Sequence, residues 1–161
     1  MFCAGRVCDG QSNPSEGDRM EVDGVREASQ RFYAALNATL KGENGPMADA
    51  WAHDASVSSM HPIGGRETGW DQVAAAFAGV GGISSEGKVE LVDQAIQAAG
   101  DMAYEVGIER GHAKLAGEDV KIEHRVTNVY RRDDAGWKIV HHHTDVSGDM
   151  LNLLARLQQK S

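Results

Sequence analysis

The feature that most constrains this chain is a change of period near Gly87. From there to Asp145 apolar residues recur at every second position. The segments 88–97, 102–115, 119–132 and 136–145 read as four long strands. Gly100-Asp101, Gly117-Glu118 and Asp133-Asp134-Ala135-Gly136 interrupt them with residues that tolerate tight turns, so the last three strands form an antiparallel meander. The sequence ahead of this block has a helical period instead. Val25, Ala28, Phe32, Leu36 and Leu40 make one apolar stripe over residues 22–41, with Asp23 placed to cap it and Gly42-Glu43-Asn44-Gly45 to stop it. Pro46 suits the first turn of a short helix ending near Trp51, and residues 56–60 read as a short strand. Thr68-Gly69-Trp70-Asp71 has the form of a capping box. Trp70, Val73, Ala74, Phe77 and Val80 then follow at helical spacing until Gly81-Gly82. A last helix with Met150, Leu153, Leu154 and Leu157 on its apolar edge closes the chain. Helices gathered ahead of an antiparallel sheet specify an α+β domain, in which a curved sheet wraps a long N-terminal helix and leaves a cavity between them.

Length and charge narrow the possibilities. With 161 residues there is room for one domain, assigned to residues 21–161, and residues 1–20 read as a flexible tail that holds both cysteines, Cys3 and Cys8. A net charge of −8 and 6% aromatic residues leave neither a basic footprint nor a stacking platform for nucleic acid. No apolar run is long enough to span a membrane, and no basic-then-apolar leader opens the chain, so a cytoplasmic protein is expected. Glycine-rich phosphate loops and a nucleophile elbow are absent from the sequence, and no bound cofactor is expected.

Histidines are the remaining chemistry. In His141-His142-His143-x-Asp145 strict alternation puts His141, His143 and Asp145 on the face of Trp137 and Ile139, which bulk and apolarity mark as inward; His142 and Thr144 take the other face. Three readings stay open: a general base with an orienting partner, a metal site completed by a residue such as His61, and histidines hydrogen-bonded in a polar sheet or at a dimer face. His61 is held extended by Pro62 at the end of the first strand, where it suits a base at the pocket mouth. Arg110 follows the alternation of Tyr104, Val106 and Ile108, so it is expected inward, binding an anionic group, with Glu105 and Glu109 outward. Asn128 shares an inward face with Val126 and Tyr130 and can donate to a ligand oxygen.

The segments QRFYAALNA (30–38), AHDASV (52–57) and HPIGG (61–65) resemble the opening of ketosteroid isomerase. RVTNVYRRDDAGWKIVHHHTD (125–145) resembles the SnoaL-like proteins and the association domain of the calmodulin-dependent kinase. All belong to the nuclear transport factor 2-like superfamily. The resemblance covers residues 22–146 and implies a cone-shaped, cystatin-like fold and a homodimer formed through the outer sheet face. Ketosteroid isomerase works with a tyrosine, a protonated aspartate and an aspartate base. Those positions fall on Phe32, Asn128 and His61, so the oxyanion pair is replaced and the base becomes a histidine. In the kinase association domain an arginine-rich pocket takes carboxylates; Arg110 matches one arginine, while Asn128 and Thr144 stand at others. The resemblance thus implies a cofactor-independent isomerase or lyase that moves a proton on a small apolar, carbonyl-bearing metabolite. His61, Asn128 and His143 would be catalytic, and Arg110, Tyr104, His141, Phe32 and Trp70 would bind the ligand. The alternative is a non-catalytic ligand-binding or assembly module.

Overall fold

A computed structural model describes residues 16–43 and 46–159. The cysteines, most of the expected tail, and Asn44-Gly45 lie outside the described residues. The elements are α1 (Glu16–Thr39), α2 (Met47–Ala50), β1 (Ser58–Met60), β2 (Glu67–Thr68), α3 (Trp70–Ile83), β3 (Ser84–Ala99), β4 (Met102–Leu115), β5 (Glu118–Asp133), β6 (Gly136–Thr144) and α4 (Gly148–Gln158). The strands form one open sheet in the order β2-β1-β6-β5-β4-β3. It is not wholly antiparallel: β1 joins the edge of β6 in parallel, pairing Ser59 with His142.

The helix α1 begins at Glu16, so residues 16–20 are helical and Asp23 sits inside the helix instead of capping it. Its buried stripe contains Val25, Ala28, Phe32 and Leu36, with Ser29 and Tyr33 also turned to the sheet. Phe32, fully buried, is the hub where Tyr33, Trp51, Phe77 and His142 meet, with ring centroids 5.1–6.3 Å away. The expected capping box is absent. Gly69, at φ 85°, is the N-cap of α3 and makes no side-chain cap; the Thr68 N–H donates to Gln72 Oε1 at 3.3 Å. The helix also runs through Gly81-Gly82 to Ile83, and Ser84 turns the chain into β3.

Three irregularities in the ladder bend the sheet around α1. β3 shifts register between Ser85 and Lys88 and again between Val92 and Ala95, and β6 shifts against β5 where Val129 faces His141 and Tyr130 faces Ile139. Val140 is the extra residue of that last bulge. A bulge inserts one residue and so reverses which side chains face inward beyond it. The β4–β5 ladder is unbroken and turns at Ala116-Gly117, both with positive φ, as a two-residue hairpin of primed type needs. No described helix is long and apolar enough to cross a membrane.

Candidate functional site

The unbroken β4–β5 ladder places Glu105 opposite Asn128 and Glu109 opposite His124, and all four side chains are buried on the inner face. Two carboxylates inside a sheet need donors, because an unpaired buried charge is strongly unfavourable. Glu109 has two. His124 Nε2–H donates to Oε2 at 2.7 Å and the Tyr33 hydroxyl donates to Oε1 at 3.0 Å. Burial alone would raise the Glu109 pKa, but these hydrogen bonds and the nearby imidazoles hold it below the ordinary carboxylate value, so the group is ionised. Burial and the facing Glu109 push the Tyr33 phenol far up, so it stays a donor. Glu105 accepts from Gln94 at 2.6 Å, Asn128 at 2.8 Å and Tyr130 at 2.9 Å.

Above this network lies a cavity of about 100 Å³ between α1, α3, α4 and the sheet. Its walls are aliphatic and aromatic (Leu36, Phe77, Ile122, Met150 and Leu153 among them), and its polar lining is His61, Glu109, His124 and His142. The His61 ring packs edge-on to Phe77, its centroid 6.4 Å from that of His142. His61 Nε2 is 3.3 Å from Glu67 Oε2, off the line of a hydrogen bond. Burial lowers the His61 pKa although Glu67 and Glu109 oppose it, so the ring is neutral, a base, at neutral pH. His142 is the deeper imidazole. Its Nδ1 lies 2.8 Å from Asn128 Oδ1, and burial drives its pKa down to about 4.

The inward-facing side chains differ from the sequence expectation at several positions. His143 and His141 face outward, because the Val140 bulge reverses the strict alternation after Ile139, and His142 and Thr144 turn inward in their place. His141 bonds Ser58 Oγ at 2.8 Å. With His61 inside, His61, His141 and His143 do not converge on one metal position. Arg110 lies on the outer face, half exposed and 3.6 Å from Glu123, so it cannot hold an anion in the cavity. Tyr104 is outward and 48% exposed. The inward residues of β4 are the acids Glu105 and Glu109, expected outward. Asn128 is inward as expected, but both hydrogens of its amide are committed, to Glu105 and to the Tyr33 oxygen at 3.3 Å, so it has none to offer a ligand. Phe32 does not line the cavity; it lies beneath it, behind the wall residues Phe77 and His142. Trp70 stacks on His53, with centroids 4.3 Å apart, outside the cavity. Of the expected site, His61 alone lines the cavity; His142, His124 and Glu109 join it.

The buried neutral imidazole has a stability signature. The unfolded His142 titrates near 6.5 and the folded one near 4. On acidification from pH 6.5 to 4 the unfolded chain therefore takes up a proton that the fold refuses, and stability falls by about 3 kcal/mol. His61 contributes with the same sign, while the stability from Glu109 is lost only below the ordinary carboxylate range. Urea denaturation between pH 7 and 4.5 should show this slope, and His142→Phe should flatten it. An unchanged slope in the variant would contradict the burial of a neutral ring.

A model of the SnoaL-like domain matches residues 25–146. A candidate dehydratase of the nuclear transport factor 2-like family from Streptomyces avermitilis is 25% identical, with a TM-score of 0.71 over 80% of this chain and 97% of that one. A protein from Thiobacillus denitrificans described as a candidate calcium/calmodulin-dependent protein kinase type II association domain is 26% identical, with a TM-score of 0.58 over 76% and 94% of the two chains. A Caulobacter vibrioides protein with a cystatin-like fold shares the architecture at 21% identity and a TM-score of 0.64, over 86% and 99%. The chain matches no curated protein.

Proposed function

The chain belongs to the SnoaL-like family of the nuclear transport factor 2-like superfamily, and on that premise we propose that its cavity moves a proton, without a cofactor, on a small uncharged apolar metabolite bearing a carbonyl group. The observation that carries this reading is the cavity itself: an apolar chamber whose polar lining is three imidazoles and one ionised carboxylate. His61 is the base. Its neutral ring, backed by Glu67, takes the proton from the carbon beside the carbonyl. The imidazolium then returns that proton to the γ carbon, which is isomerisation, or to a departing β-hydroxyl, which is elimination of water. The name of the Streptomyces protein supports the second, lyase-type outcome. His142 Nε2 offers a lone pair to a ligand hydroxyl. Substrate charge follows from the electrostatics. With Glu109 ionised in the wall and Arg110 outside, a carboxylate or phosphate ligand would meet repulsion without a cation to offset it. The test is solvent-deuterium exchange, followed by NMR, on a panel of neutral cyclic and aromatic ketones with the protein in D2O. At least one ketone should lose its α protons faster than in buffer. Exchange at the buffer rate across the panel would count against the reading.

We also infer a homodimer, from the outer sheet face. Met102, Tyr104 and Val106 are exposed side by side along β4, an apolar row that a monomer would leave in water. Light scattering should give twice the chain mass. Tyr104→Glu with Val106→Asp should halve it without loss of fold. A monomeric wild type would rule this interface out.

A further inference from the structure

A fully buried carboxylate that does not line the cavity is the group the proposed reaction leaves unexplained. Glu105 is 0% exposed, and three donors converge on its two oxygens. The directions of those bonds are set from the surface inward. Arg26 has only donors, and its Nη1 donates to Gln94 Oε1 at 2.8 Å, so the Gln94 amide must turn its nitrogen to Glu105. Glu105 accepts there and accepts again from Asn128 Nδ2. That commitment turns the other end of the Asn128 amide, the acceptor Oδ1, toward His142 Nδ1 at 2.8 Å. An acceptor facing a neutral imidazole requires the proton on that nitrogen.

We propose that Glu105 is a positioning residue: acting through Asn128, it fixes His142 in the tautomer protonated at Nδ1 and so leaves the Nε2 lone pair free. The relay runs Arg26, Gln94, Glu105, Asn128, His142, from α1 across four strands, β3 to β6. Each link has a donor and an acceptor in one permitted order. The proposal rests on the reading above only for what the Nε2 lone pair then does; the tautomer itself is independent of any substrate.

Replacement by glutamine should reverse the end of the relay. In Glu105→Gln the new amide must give its oxygen to Gln94, which Arg26 keeps oriented, and its nitrogen to Asn128. Asn128 then turns over, its Nδ2 faces His142, and the ring must accept at Nδ1 and carry its proton at Nε2. Long-range ¹H–¹⁵N correlation on histidine-labelled full-length protein reads this directly, with His142 assigned from the signal lost in His142→Phe. The wild type is expected to show protonated-type Nδ1 and unprotonated-type Nε2, and Glu105→Gln the reverse. Asn128→Leu cuts the relay while leaving Glu105 two donors, and is expected to let both tautomers populate, which also covers the case of an unstable Glu105→Gln. A wild type protonated at Nε2 overturns the proposal. So does a Glu105→Gln or Asn128→Leu protein that keeps the wild-type pattern. A confirmed tautomer without ketone exchange would leave Glu105 in its role and remove the proton-transfer reading instead.

Discussion

His61→Ala is expected to lower the rate of α-proton exchange by about 10²–10⁴-fold, the usual contribution of a positioned general base. His61 is the cavity imidazole beside Glu67, its ring held against Phe77 at the chamber wall. Removing it takes away the group that accepts the proton and the group that returns it. The other cavity imidazoles are poor substitutes: His124 Nε2–H is given to Glu109, and burial drives the His142 pKa down to about 4, which leaves its free Nε2 a weak base. His143→Ala is the matched control, because that ring is exposed on the outer face and should leave the rate unchanged. Rates are compared on protein shown by circular dichroism to be folded. A His61→Ala rate within twofold of wild type, or a loss of comparable size in His143→Ala, would sink the assignment of the base.

The largest expected loss of stability comes from Gly111→Ala. Gly111 pairs with Val89 just beyond the register shift between Ser85 and Lys88, where the β3 backbone approaches β4 closely. A Cβ at 111 would stand 2.0 Å from the Lys88 carbonyl oxygen and 2.9 Å from Val89 Cα. Both are backbone atoms, so no side-chain rotation relieves the clash and the two strands must separate. The expected cost is about 3 kcal/mol, at the top of the range for overpacking, which for a domain of this size lowers the melting temperature by roughly 10 °C. Gly79→Ala is the counterpart. It lies inside α3 with open space around its Cβ position, so the alanine should raise stability by up to about 1 kcal/mol. A Gly111→Ala protein melting within 2 °C of wild type would mean that the β3 backbone does not approach Gly111 so closely.

Most of the fold was legible because its signals are periodic. The stripe of α1 and the strand limits of β4 follow from spacing and from Gly117, whose positive φ the hairpin requires. The early turn of α1, the two-residue β2 and the passage of α3 through two glycines carry no such pattern. The side chains facing the cavity were harder to read, for two separate reasons. On β6 a single bulged residue, Val140, exchanges the roles of His141 and His143 with that of His142, and nothing in the local sequence marks it. On β4 both faces are demanding: Tyr104, Val106 and Ile108 look like core yet lie on the outer face, while the inner one holds acids. The sequence did contain a signal for this second case. A hairpin turn at Gly117 pairs Asn128 with Glu105, and residues directly opposite in an antiparallel ladder share a face. Asn128 inward and Glu105 outward are therefore incompatible. Register decides the question where hydrophobicity misleads.

Proton transfer at His61 requires a neutral carbonyl compound in the chamber between α1, α3, α4 and the sheet. A crystal structure of the protein soaked with the ketone that exchanges fastest tests it most directly. The ligand is expected inside that chamber, with its α carbon within reach of the His61 ring. A ligand bound instead on the outer sheet face, near Arg125 and His143, with the chamber empty, would contradict it.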